Sequence, residues 1–281
     1  MSNLPQPIKN LGKSQLSKAA DKFVDFVITK YTGKSIKVFE AEGDIEADKV
    51  KTRWEILEKP FWLQAEAAKM NRQYSNMGVA LMKAAPWVIA EENKITDDND
   101  VFWGLLEHSK EISNEQMQDL IAKIIAGEYN QPGTYSMSTL QVIKSLGKSE
   151  LEKFEKNCTV LINNLHFLYN FYSFGEPQSE MRVALGINYK DFVECQNLGL
   201  VQTNAISQNI DLKKDEIIKM VYFDKPILLK TKGDVKNYTL LNIYQLTNAG
   251  QQILQHLSPM PSDLFYNWAK KHIAGSHFEI I

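Results

Sequence analysis

The sequence predicts a mainly α protein, with an N-terminal multi-helix domain followed by a small α+β domain. Three observations carry this reading. Apolar residues recur at spacings of three and four over most of residues 14–172. Capping and turn residues punctuate that pattern, among them Ser113, Gly127, Pro132, Gly133, Gly147 and Ser149. β-type runs gather late, at residues 217–223, 227–231 and 238–246. The expected organisation is a loose arm over residues 1–12, an all-helical domain over 13–174, the α+β domain over 175–258, and a C-terminal helix and tail over 259–281.

Residues 14–31 place Leu16, Ala19, Ala20, Phe23, Phe26 and Val27 on one side of a helix, and Asp21 and Asp25 dilute its lysines. A second, largely solvated helix is expected over residues 36–59, bent near Gly43. Pro60 opens a third, over residues 61–85, whose Ala, Met and Leu content suits close helix packing until Pro86 interrupts it. Met70, Met77 and Met82 either fill gaps in a core or line an adaptable surface. The acids of residues 96–100 cap a following helix that carries Val101, Phe102, Leu105 and Leu106. A calcium loop needs alternating oxygen ligands, a turn glycine and a final glutamate, which this segment lacks.

Residues 111–154 carry the densest set of start and stop signals. Ser113 with Gln116 has the form of a capping box, and Met117, Leu120, Ile121, Ile124 and Ile125 share one helix face. Gly127 releases the chain, Pro132 and Gly133 form a turn, and Ser136 caps a short helix with Met137, Leu140, Ile143 and Leu146. Ser149 and Glu152 offer a second capping box. The run Leu151, Phe154, Cys158, Leu161, Leu165, Leu168 and Tyr172 is heptad-like and predicts one long helix. Its seam serves either the core or self-association; the latter would leave Leu165 or Tyr172 exposed in a monomer.

Ser113, Glu115, Met117, Gln118, Leu120, Ala126, Gly127, Glu128, Pro132, Gly133, Ser136, Thr139, Leu140 and Phe154 together resemble an uncharacterised bacterial family of prophage, abortive-infection and other phage-defence loci. The resemblance implies that setting and carries over no catalytic residue. Glu128, just before the turn, is read as satisfying turn backbone donors, with a functional carboxylate as the alternative.

Residues 174–177 mark a boundary. Beyond it, short helices are expected over 181–185 and 189–198, the second capped by Asn188, and then a strand entered through residues 198–201. Three β runs follow, with a turn at Gly233 and Asp234, and then a helix over 247–257. Leu198, Gly199, Leu200, Val201, Tyr244, Leu246, Thr247 and Gly250 resemble winged-helix domains, in which a helix-turn-helix unit precedes a β-hairpin wing. A DNA-reading helix presents cations and amides, yet residues 188–199 offer Lys190 against Asp191 and Glu194, with Gln196 and Asn197 as base-reading types. Lys213, Lys214, Lys219, Lys225, Lys230, Lys232 and Lys236 are the candidate nucleic-acid contacts, diluted by acids. An amphipathic helix over 262–274 ends at Gly275, and Phe278, Ile280 and Ile281 form an apolar terminus that docks on the body or meets a partner.

The 281 residues are 44% hydrophobic and 23% charged with a formal net charge of −2, ordinary for a globular protein and without a global field for nucleic acid or an anionic membrane. Cys158 and Cys195 support neither a disulfide framework nor a cysteine-based zinc site. No secretory signal is read, and the most apolar run, residues 78–90, is too short to span a bilayer, so a cytoplasmic location is expected. Phosphate loops, nucleophile elbows and metalloprotease motifs are not found. His108 and Glu111 share a helix face but make too few ligands for a metal site, and His272 and His277 straddle Gly275.

The resulting expectation is a non-enzymatic protein acting through protein contacts, with no cofactor or metal, self-association as an open alternative, and prophage or phage-defence biology implied by the resemblance. A nucleic-acid-binding regulator stands second. An enzyme stands third and requires a pocket gathering His108, Glu111 and Glu128.

Overall fold

A computed structural model describes residues 18–32, 61–90, 94–172 and 178–281. The arm over 1–12, the helix expected over 36–59 and the boundary residues 174–177 lie outside the described residues. The chain divides into two compact units, Met1–Leu140 and Gln141–Ile281.

The first unit contains α1 (Lys18–Thr32), α2 (Phe61–Ala84), a 3₁₀ turn (Ala85–Trp87), α3 (Asp100–Ser109), α4 (Glu115–Asn130) and the start of α5 (Met137–Ser145). The predicted apolar face of α4 is fully buried, and Ala122 and Ala126 beside it are buried too, so the helix is enclosed on more than one side. Each fully buried Leu or Ile contributes about 1.5–3 kcal/mol. α2 packs on α4, and Lys83 bridges from α2 to Asp119 at 2.5 Å and Glu115 at 3.7 Å. Tyr129 meets Phe23 of α1 edge-on at 4.8 Å and Phe102 of α3 at 6.2 Å. Met77 is buried, whereas Met70 and Met82 are exposed. The cap of α4 is Asn114, not Ser113: its side chain accepts the Met117 N–H at 3.2 Å. The helix also runs past Gly127 to Asn130, because a residue able to leave a helix need not do so when flanking side chains are buried.

The second unit corrects the fold class. It contains α6 (Lys148–Cys158), β1 (His166–Leu168), α7 (Tyr169–Tyr172), α8 (Gln178–Leu185), α9 (Tyr189–Asn197), β2 (Ile206–Leu212), β3 (Ile217–Tyr222), β4 (Lys225–Thr231), β5 (Val235–Gln245), α10 (Asn248–Leu254), α11 (Asp263–Ala274) and β6 (Phe278–Ile280). Two antiparallel three-stranded sheets, ordered β1-β5-β2 and β3-β4-β6, make the protein an α+β mix rather than mainly α. Two strands escaped the sequence reading: β1 hides inside the heptad-like run, and β6 lies in the apolar terminus. The strand expected from residues 198–201 begins only at Ile206, with Val201 making an isolated bridge to Leu246.

The long helix expected through Tyr172 stops at Cys158. Asn163 and Asn164 take left-handed backbone, with φ of 53° and 55°, and turn the chain into β1. The apolar spacing survives as three different elements facing one core. α6 starts a residue before Ser149, and Glu150 reaches back to the Gly147 N–H at 3.1 Å, replacing the expected Ser149 and Glu152 box.

Tyr172 stacks on Phe192 of α9 at 3.7 Å and Phe167 of β1 meets Phe192 edge-on at 5.3 Å, which seats the helices on the first sheet. The second sheet buries Met220, Tyr222, Ile227, Leu229 and Phe278 on one face, and α11 buries Phe265, Ala269 and Ile273. Tyr222 ties them: its hydroxyl donates to Thr159 O and accepts the Ser262 N–H, each at 2.6 Å.

Candidate interaction site

The C-terminal end of α4 organises two loops of the first unit. Glu128 is 1% exposed, and its carboxylate accepts three hydrogen bonds. Oε1 takes the Gly133 N–H at 2.7 Å and the Asn99 amide at 3.1 Å; Oε2 takes the Tyr135 N–H at 3.1 Å. Asn99 is the cap of α3, its Oδ1 accepting the Phe102 N–H at 2.9 Å. One carboxylate therefore closes the Pro132–Gly133 turn and orients the start of another helix. Gly133 has φ +85°, a conformation that favours glycine. A Cβ on Gly127 would lie 2.7 Å from the Tyr135 hydroxyl, so this ring packs where only glycine leaves room. Burial, then the Glu128 charge, pushes the Tyr135 phenol up to about 12.

Asn130, at the last position of α4, grips the chain that follows the 3₁₀ turn. Its Oδ1 accepts the Ile89 N–H at 2.9 Å and the Ala90 N–H at 3.1 Å, and its Nδ2 donates to Trp87 O at 2.9 Å. Val88 is extended and buried, so its neighbours point the other way: Trp87 is 57% exposed and Ile89 79%. The Lys123 ammonium lies 5.5 Å from the Trp87 ring centre. Two large apolar side chains are thus displayed on a backbone fixed by three hydrogen bonds. Sequence reasoning missed Asn130, Trp87 and Ile89. The available signal was a Pro86-interrupted helix followed by Trp, Val and Ile, which alternate as a half-buried extended segment.

The family-motif positions are structural supports around α4. Gln118 donates to Ile112 O at 3.0 Å, Ser136 accepts the Thr139 N–H at 3.1 Å, and Thr139 is fully buried with its hydroxyl 2.9 Å from Ser136. Ser113 is exposed. Glu111 pairs with Gln73 at 2.5 Å before the start of α4, whereas Glu128 lies near its end. The part of α4 from Glu115 to Glu128 rises roughly 20 Å at the standard helical rise, so His108, Glu111 and Glu128 are not brought together. Among the described residues no group of three or more His, Cys, Asp or Glu side chains is placed to hold a metal ion.

In the second unit, Leu151, Phe154, Leu161, Leu168 and Tyr172 of the candidate seam are buried and Leu165 is half-buried. Tyr172 donates to Asn157 Oδ1 at 2.9 Å inside the unit. The candidate lysines separate into groups. Lys213 and Lys214 lie in the β2–β3 turn, Lys232 in the β4–β5 turn and Lys236 just inside β5; Asp234 joins the two turns by accepting the Lys214 N–H at 2.8 Å. Lys230 pairs with Asp215 at 2.8 Å, Lys225 pairs with Asp263 at the other end of the hairpin, and Lys219 is exposed mid-strand. The Lys230 hydrogen bond holds the Asp215 carboxyl below its usual range. On α9, Glu194 bonds Lys153 of α6 at 2.8 Å, which raises the lysine's pKa. Cys158 and Cys195 are buried free thiols, both pushed up by burial.

Helical supports in one unit and paired antiparallel sheets in the other define an α+β protein whose polar side chains mainly serve its own backbone. The chain belongs to the family described as protein of unknown function (DUF2806), whose model matches residues 66–269. No curated protein and no solved structure matches it. Among the described residues no helix is long and apolar enough to cross a membrane.

Proposed function

We propose that the protein acts by contacting another protein, with Trp87 and Ile89 as the anchor, and that it works in prophage or phage-defence biology. The observation carrying this reading is the Asn130 grip. Isolated exposed apolar side chains are ordinary, but a Trp and an Ile held side by side on fixed backbone meet a partner with little ordering entropy left to lose. Trp is also among the residues most often found at interface hot spots. The phage setting rests on the sequence resemblance alone.

The second unit is read as a winged-helix-like module serving a further protein contact. What supports this is the order α6, β1, α8, α9, β2, β5 with sheet order β1-β5-β2, the third strand lying between the first two. The mixed charges at the hairpin turns favour protein over nucleic acid as its partner, since phosphate binding rests on uncompensated cations.

The test is affinity capture from phage-infected cells with the natural chain and with a Trp87→Ser, Ile89→Ser double variant of equal thermal stability. A protein retained by the first and lost by the second is the expected result. Identical captured sets would remove this surface from consideration.

A further inference from the structure

We infer that two copies of the chain associate through the free edge of β2, pairing antiparallel so that one sheet runs through both. β2 is an end strand in the order β1-β5-β2. An open edge presents a row of unpaired N–H and C=O groups, which proteins usually guard with charge, proline, short length or a cover. The other edges here are guarded. Asn163 donates its N–H to Val221 O at 2.7 Å and accepts the Val221 N–H on its Oδ1 at 2.8 Å, which plugs β3. β6 covers the far edge of β4, and β1 and β6 are three residues each.

Among the described residues, β2 has none of these protections over most of its length. Residues 201–210 contain no charged residue and no proline, and residues 202–207 and 209 are exposed. Its ladder with β5 is irregular between Gln208 and Asn209 and again between Ile210 and Leu212, but each time the extra residue belongs to β5: Gln208 pairs with Leu241 and Asn209 with Thr239, then Ile210 with Tyr238 and Leu212 with Val235. The outer edge of β2 keeps its spacing there. On the same strand Ser207 bonds Asn242 at 2.7 Å and Asn209 accepts from Thr239 at 2.8 Å, so these side chains are already ordered.

The absence of charge selects the occupant. A strand meeting its own copy about a two-fold axis sets the residues nearest the axis beside their own mates, and like charges opposite one another are destabilising. With the axis at Gln208, Ile206 faces Ile210 of the second copy and Asp211 faces Ala205, so no like charges oppose. Ile206, 42% exposed in one copy, gains an apolar neighbour.

Sedimentation of the full chain across a concentration series reads the association, and amide hydrogen exchange of residues 203–210 locates it. The expected result is a mass rising towards a dimer, slow β2 amides that become fast on dilution, and at least a tenfold weaker association for Ile206→Lys. Ile206 is an exposed edge side chain, so the lysine leaves the core intact; should that variant misfold, the dilution series on the natural chain decides alone. A monomer at every concentration overturns the inference. So does association that leaves the β2 amides unprotected.

Discussion

The Gly133 N–H and the Glu128 carboxylate meet at 2.7 Å across the turn that follows α4, and the same oxygen holds the amide of Asn99. This buried carboxylate serves backbone geometry. Glu128→Gln replaces one acceptor oxygen with an amide donor that faces N–H groups. A buried donor left without an acceptor costs about 1–3 kcal/mol, so urea unfolding of Glu128→Gln is expected to shift by that amount, with faster exchange at the Gly133 or Tyr135 amide. Unchanged stability would assign the carboxylate a role other than holding the turn.

Tyr172→Phe removes the hydroxyl that serves Asn157, a side chain 1% exposed. Asn157 keeps its bond from Nδ2 to Lys153 O at 2.8 Å, so only one buried acceptor is orphaned. A loss of about 1–2 kcal/mol is expected, measured by thermal or urea unfolding, with the molar mass unchanged. A changed mass with intact stability would return Tyr172 to a self-association role.

These two sites show where sequence reading held and where it failed. The face of α4 was legible because five apolar residues at helical spacing are all buried together. The role of Glu128 was legible because a carboxylate beside a Pro-Gly turn has few other uses. The helix through Tyr172 was misread because Leu161, Leu165 and Leu168 keep a heptad-like spacing while the backbone changes state at Asn163 and Asn164. Periodicity reports which residues face the core, not which backbone carries them. β2 was placed too early for a different reason: a strand was expected from residues 198–201, but pairing with β5 starts it at Ile206. The acid partners of Lys225 and Lys230 were not legible, because they depend on strand register and on where α11 lies.

Gly250 marks a close approach of a different kind. A Cβ there would lie 2.1 Å from Leu200 O, a backbone atom with little room to yield. Thr247 caps the same helix by accepting the Gly250 N–H at 3.0 Å and donates to Gly199 O at 2.6 Å, so the start of α10 is locked on residues 199–200. Gly250→Ala is expected to destabilise the second unit by about 1–3 kcal/mol, the usual cost of overpacking, or by more if the helix must shift. Guanidinium unfolding followed by Trp268 fluorescence checks it; a neutral substitution would mean that the contact relaxes freely.

Stability of the second unit is expected to fall in mild acid. Burial lowers the pKa of both His166 and His272. His166 meets the Gln245 amide at 3.1 Å through Nε2, while its Nδ1 is buried without a hydrogen-bond partner. His272 stacks on Trp268 at 4.6 Å and meets the Asn170 amide at 3.3 Å. A base whose folded pKa lies below its unfolded value binds fewer protons when folded. Its contribution is therefore complete above the unfolded pKa, about 6.5, and is lost as pH falls from there towards the depressed folded value. The carboxyl of Asp215, held low by Lys230, acts only in a more acidic range. Thermal melts at pH 7.5, 6.5 and 5.5 are expected to show a falling midpoint, with a smaller fall for His166→Gln. An equal fall in the variant would move the effect to His272 or to other groups.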